Sequence, residues 1–103
     1  MMAIFRKVAS VNELLPGMRK LITIDRKQIV LFNIDGCLYA IDDTCPHQGA
    51  ALSEGELEGA SVICPWHGAL FDLATGTATR FSMAERASTY EVRVEDAAIA
   101  LLT

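Results

Sequence analysis

Between residues 45 and 67 the chain presents one thiol and one imidazole twice over, as Cys45-Pro46-His47 and then, after sixteen residues, Cys64-Pro65-Trp66-His67. No other stretch restricts the fold as strongly, because two separated loops must meet if these four side chains act together. A single tetrahedral metal could in principle take all four. The one-residue gap between Cys45 and His47 is tight for chelating one ion, however, and structural zinc sites favour separated pairs of like ligands. A binuclear iron-sulfur cluster accounts better for mixed pairs, since two loops approaching from opposite sides can each give a Cys to one iron and a His to the other. Structural zinc is the second reading. A Cys45 to Cys64 disulfide is the third, and it conflicts with the expected reducing compartment, where such bonds are rare.

The runs Cys45-Pro-His47-Gln-Gly49 and Cys64-Pro-Trp-His67-Gly68 resemble the two cluster-binding boxes of the Rieske family, and the resemblance extends over nearly the whole chain. It implies one 2Fe-2S cluster, with Cys45 and Cys64 on the inner iron and His47 and His67 on the outer one. Both histidines are then ligands. Two ferric ions, two sulfides and two thiolates sum to zero charge, so an electron is added more easily than to a four-Cys cluster, within a range of roughly −150 to +300 mV. Respiratory members of the family carry a disulfide at positions matching Ala50 and Trp66, and Ser and Tyr hydroxyl donors at positions matching Ala69 and Phe71. None of the four positions carries the matching group here. Hydrogen bonds to sulfur raise the potential, so the expected midpoint lies near the low end of that range.

The rest of the chain reads as antiparallel β structure. Phe5 to Val8 and Arg19 to Asp25 read as strands, with a turn over Glu13-Leu-Leu-Pro16-Gly17 between them and another at Asp25-Arg-Lys27. The clearest local signal is Asp35-Gly36 between the apolar runs Val30 to Ile34 and Cys37 to Ile41, because a type I′ hairpin turn needs positive φ at both central positions. Two-residue pairing sets Phe32 opposite Tyr39 and Val30 opposite Ile41. After the first box, residues 50–57 read as a turn or helical hump. Ser61 to Ile63, Ala69 to Asp72 and Thr77 to Arg80 read as short strands, Phe81 to Ala87 as a loop, Tyr90 to Val94 as one alternating strand, and Ala97 to Leu102 as its partner after a turn near Asp96. The expected fold is therefore all-β, an antiparallel sandwich or partly open barrel forming one domain over 1–103, with a two-loop cluster-binding subdomain at about 43–71.

Individual side chains carry further expectations. Cys37 shares a face with Tyr39 and Ile41 and reads as a small buried hydrophobe. Trp66 lies between two ligands, either shielding the centre or anchoring a partner. Gly49, Gly55, Gly59 and Gly68 read as turn positions that let backbone come close to the cluster, and Pro46 and Pro65 as shaping elements.

Charge is distributed unevenly. From 28 to 79 there is no Lys or Arg, whereas Asp35, Asp42, Asp43, Glu54, Glu56, Glu58 and Asp72 all fall in that span. Such a surface is unsuited to nucleic acid and is either simply solvated or a negative face that steers the protein to basic patches. With 103 residues there is room for one modest core. No apolar run approaches a membrane span, and the amino terminus lacks the order of a secretory signal, so a cytoplasmic monomer without membrane contact is expected. Both histidines are claimed by the cluster, leaving none for a mononuclear iron triad or a general base. That composition suits a carrier better than a catalyst. The resemblance thus implies a soluble Rieske-type ferredoxin that passes single electrons from a flavin-dependent NAD(P)H reductase to a terminal aromatic-ring-hydroxylating oxygenase. The small subunit of an assimilatory nitrite reductase and a zinc-stabilised interaction domain are the alternatives.

Overall fold

The structure, a computed structural model, describes residues 4–46, 49–66, 68–80 and 86–103. The chain runs through β1 (Phe5–Ser10), a 3-10 turn at Val11–Glu13, β2 (Arg19–Ile24), β3 (Lys27–Ile34) and β4 (Cys37–Asp42). A second 3-10 turn at Leu52–Glu54 precedes β5 (Leu57–Glu58), β6 (Ser61–Ile63), β7 (Leu70–Asp72) and β8 (Ala78–Arg80). The chain then ends with β9 (Thr89–Tyr90), β10 (Val92–Glu95) and β11 (Ala98–Leu102). All these pairings are antiparallel, in three sheets ordered β1-β11-β10, β2-β3-β4-β9 and β5-β6-β7-β8. Among the described residues no sheet closes into a barrel. The all-β expectation holds in its sandwich form.

The layering follows from β3, which is buried without interruption from Ile29 to Asn33. Alternate side chains on a strand point to opposite faces, and here both faces are covered. Ile29 and Leu31 enter one core with Ala9, Leu14, Ala40, Ile99 and Leu101. Val30 and Phe32 enter the other with Ile41, Leu52, Val62, Phe71 and the two cysteines Cys45 and Cys64. The four-stranded sheet carrying β3 is thus the middle layer, and burying each large side chain on it contributes about 1.5–3 kcal/mol.

The β3–β4 hairpin pairs Phe32 with Tyr39 and Val30 with Ile41, as the Asp35-Gly36 turn requires. Asp35 and Gly36 have φ of 52° and 94°. The turns at Asp25-Arg26 and Asp96-Ala97 repeat the device without glycine, at φ of 49° and 71° and of 49° and 63°. Each non-glycine residue there costs about 1–2 kcal/mol, offset by strand pairing on either side.

Two expectations need correction. Cys37 is exposed, not buried: it is the first residue of β4, directly beside the exposed Asp35-Gly36 turn, ahead of the covered Tyr39 and Ile41. The alternating run from Tyr90 to Val94 is two strands, since Thr89–Tyr90 pairs with β4 and Val92–Glu95 pairs with β11. The chain changes sheets at Glu91, whose carbonyl accepts the Leu102 N–H at 3.1 Å; alternation continues through the switch, which hides it from the sequence. Ahead of the turn expected at Glu13 to Gly17, the chain forms a 3-10 turn, in which the Glu13 carboxylate accepts the Ser10 N–H at 2.8 Å. Of the loop expected over Phe81 to Ala87, residues 81–85 lie outside the described residues. Ala87 is buried and donates its N–H to the Gly76 carbonyl at 2.9 Å.

Candidate metal centre

Each cysteine opens a loop of the same design. The Cys45 N–H donates to the Ala50 carbonyl at 2.8 Å, and the Gly49 N–H donates back to the Cys45 carbonyl at 2.9 Å. In the second loop the Cys64 N–H donates to Ala69 at 2.8 Å and the Gly68 N–H to Cys64 at 3.0 Å. Gly49 and Gly68 take φ of 79° and 74°, a left-handed conformation that glycine adopts without penalty. Both loops therefore curl back after four residues. Pro46 and Pro65 face solvent, whereas Cys45 and Cys64 are each only 1% exposed and lie in the same core.

Two buried cysteines at matching loop positions could supply the sulfur half of an S2N2 donor set. His47 and His67, the imidazoles expected to complete it, lie outside the described residues, and among the described residues no three metal-ligating side chains cluster. The donor chemistry fits a Rieske centre: soft thiolate is provided from the core, and the histidines belong to loop positions bordered by exposed Pro46 and Trp66. Ala50, Ala69 and Phe71 line the cysteine core at 1%, 0% and 1% exposure and carry no hydroxyl. Trp66 is 66% exposed, so its ring is available to a partner and shields little.

The two loops are linked by residues 50–56. Asp43, buried just before the first box, accepts the Ser53 N–H on its carboxylate at 2.7 Å and the Leu52 N–H on its carbonyl at 2.6 Å. Toward the second box, the Ile63 N–H donates to Glu56 at 2.8 Å. Gly55 packs so closely there that a Cβ on it would stand 2.0 Å from the Ile63 carbonyl oxygen. Unlike Gly49, Gly59 and Gly68, it has a negative φ of −81°; it is glycine for space and not for a turn. Arg19 crosses from β2 and donates to the Ser53 carbonyl at 2.9 Å and the Gly55 carbonyl at 2.6 Å. Sequence reasoning did not single out Arg19 or the support given by Asp43, because a charge at a strand end carries no sign of a distant partner.

On the other flank, Tyr90 donates its hydroxyl to the Asp42 carboxylate at 2.5 Å. Burial first, then that hydrogen bond and the carboxylate charge, raise the Tyr90 hydroxyl above its usual range. It stays a donor and fastens β9 to β4 close to the first loop. Glu54 and Glu56, both exposed, border an open depression that reaches Cys64, Pro65 and Gly68.

A small all-β sandwich that offers two buried cysteines from twin loops defines an iron-sulfur domain of the Rieske class. Residues 5–91 match the Rieske [2Fe-2S] domain, and the chain belongs to that family, with one Rieske-type 2Fe-2S cluster as its cofactor. It is 32% identical over 90 residues to the ferredoxin component of the naphthalene 1,2-dioxygenase system of Pseudomonas putida, covering 87% of this chain and 86% of the relative. It is 50% identical over 68 residues to the 3-phenylpropionate/cinnamic acid dioxygenase ferredoxin subunit of Shigella flexneri, covering 65% and 64%. A chain in the complex of reduced oxygenase and oxidized ferredoxin in carbazole 1,9a-dioxygenase superposes with a TM-score of 0.87 at 28% identity, over 96% of this chain and 93% of that one. The zinc-stabilised alternative falls with the family.

Proposed function

We propose that this chain is the ferredoxin of an aromatic-ring-hydroxylating dioxygenase system, accepting single electrons from a flavin-dependent NAD(P)H reductase and delivering them to a terminal Rieske oxygenase. The observation that carries this reading is its similarity, over most of both chains, to relatives that are themselves ferredoxin components. A cytoplasmic monomer, with 1–103 as one domain, suits that role. Among the described residues no helix is long and apolar enough to cross a membrane. The naphthalene and phenylpropionate relatives favour this over the nitrite reductase subunit.

Cys45 and Cys64 would hold the inner iron as thiolates, and His47 and His67 the outer iron through neutral imidazoles. When bound, the cluster supplies a one-electron couple. The protein's part is to bury Cys45 and Cys64 in a dry core, and histidines on the outer iron would shorten the path to a partner. Glu54, Glu56 and exposed Trp66 border the same end. Long-range attraction to a basic partner is screened by salt over about 8–10 Å, and an exposed Trp is a frequent anchor.

The test is stopped-flow reduction of a cognate oxygenase. Transfer should slow as ionic strength rises, and Trp66→Ala should weaken it while leaving the visible spectrum unchanged. Salt-independent transfer with wild-type rates in Trp66→Ala contradicts this docking face.

A further inference from the structure

The segment 50–56 touches both cysteine loops, and its outside anchor is a residue far away in sequence. On one side it meets the first loop through the Thr44–Ala51 bridge and the Asp43 hydrogen bonds; on the other it meets β6, one residue before Cys64, through Ile63 and Gly55. Its position therefore sets how far apart the two cysteine loops stand. Arg19 sits opposite Phe32 in the β2–β3 ladder, on the cluster-side face, and its guanidinium lies 5.0 Å from the Phe32 ring centroid. From there one Nη1 donates to both the Ser53 and Gly55 carbonyls, while Phe32 packs in the core that holds Cys45 and Cys64.

We infer that Arg19 is a positioning residue for the cluster: it fixes the link between the two cysteine loops and places a partly buried positive charge against Phe32 of the cysteine core. Two effects follow from one side chain. Charge-assisted hydrogen bonds are stronger than neutral ones, so the link is held at the spacing the cluster needs. A cation in a partly desolvated site also favours the reduced, more negative cluster. The inference rests on the cluster and on Cys45 and Cys64 as ligands, and on no redox partner. Its failure is visible in the isolated holoprotein, whereas failure of the carrier reading is visible only in kinetics with partners.

The experiment compares holoprotein of wild type, Arg19→Gln, Arg19→Lys and, as a surface control, Arg6→Gln, which removes a cation paired with Asp25. The readouts are cluster loss under a ferrous chelator, the reduced-state EPR spectrum and the midpoint potential. In Arg19→Gln, cluster loss should be roughly tenfold faster, as for other residues that support metal ligands, with a shifted EPR spectrum and a lower midpoint. Arg19→Lys keeps the charge but loses the planar fork, so intermediate values are expected; Arg6→Gln should match wild type. Should Arg19→Gln fail to accumulate as holoprotein, Arg19→Lys decides alone by a smaller change of the same sign. Wild-type EPR, potential and cluster retention in the Arg19 variants, even with lowered thermal stability, would overturn the inference, as would equal changes in Arg6→Gln.

Discussion

The two cysteine loops share the same backbone hydrogen bonds and the same left-handed glycine, yet the chain leaves them differently. The second passes from Ala69 directly into β7, so the ladder with β6 supports it at once. The first leaves through Ala51 into a 3-10 turn, and its order comes from Asp43, Gly55 and Arg19. A loop backed by a strand inherits the regularity of the sheet. A loop backed by an irregular segment needs side chains recruited from elsewhere, and those are the residues whose roles a reading of the boxes overlooks.

Gly55→Ala should break this contrast with the largest effect. Its methyl group overlaps the Ile63 carbonyl, which is backbone and cannot swing aside, and overpacking of this kind costs about 3 kcal/mol. Urea unfolding of the holoprotein should show the loss together with early bleaching of the cluster. A cost no larger than that of Gly49→Ala would mean that the 50–56 segment gives way easily.

The likeness of the loops is probed by Gly49→Ala and Gly68→Ala. No atom within 4 Å opposes a Cβ at Gly49, so strain at positive φ alone should cost about 1–2 kcal/mol there, and the same strain applies to Gly68 at φ 74°. Equal shifts in the unfolding midpoint would mark the loops as energetically equivalent; a gap of more than twofold would mark one as more constrained by its exit.

The smallest effects belong to the cysteine surroundings. Ala69→Ser and Phe71→Tyr each introduce a hydroxyl into a core that has none at those positions. A donor to sulfur spreads the added negative charge, so each should raise the midpoint in protein-film voltammetry from a wild-type value near the low end of the Rieske range. An unchanged or lowered midpoint in both would show that these positions do not reach the sulfurs, and a wild-type midpoint well above zero would remove the low-potential reading.

Much of the scaffold was legible because its signals are local. Asp35-Gly36 fixed a hairpin and its register, Ser61 to Ile63 was bounded by turn residues, and the boxes singled out Cys45 and Cys64, which fold into one buried core. Cys37 was misread because alternation tells which face a side chain takes and not where that face ends. The sheet change at Glu91 was hidden for a related reason: Tyr90, Val92 and Val94 keep period two while their partners change from β4 to β11. Arg19 and the space-driven role of Gly55 depend on contacts between segments 34 and more residues apart in one case and eight in the other. Such contacts have no period and no local motif.

The most direct test of the whole account is EPR of the dithionite-reduced protein, with nitrogen couplings resolved by pulsed methods. Coordination by Cys45, Cys64, His47 and His67 requires an average g below that of a four-Cys cluster and couplings from two histidine nitrogens. A signal of four-Cys type without nitrogen coupling, or a colourless protein holding a single zinc, would contradict it.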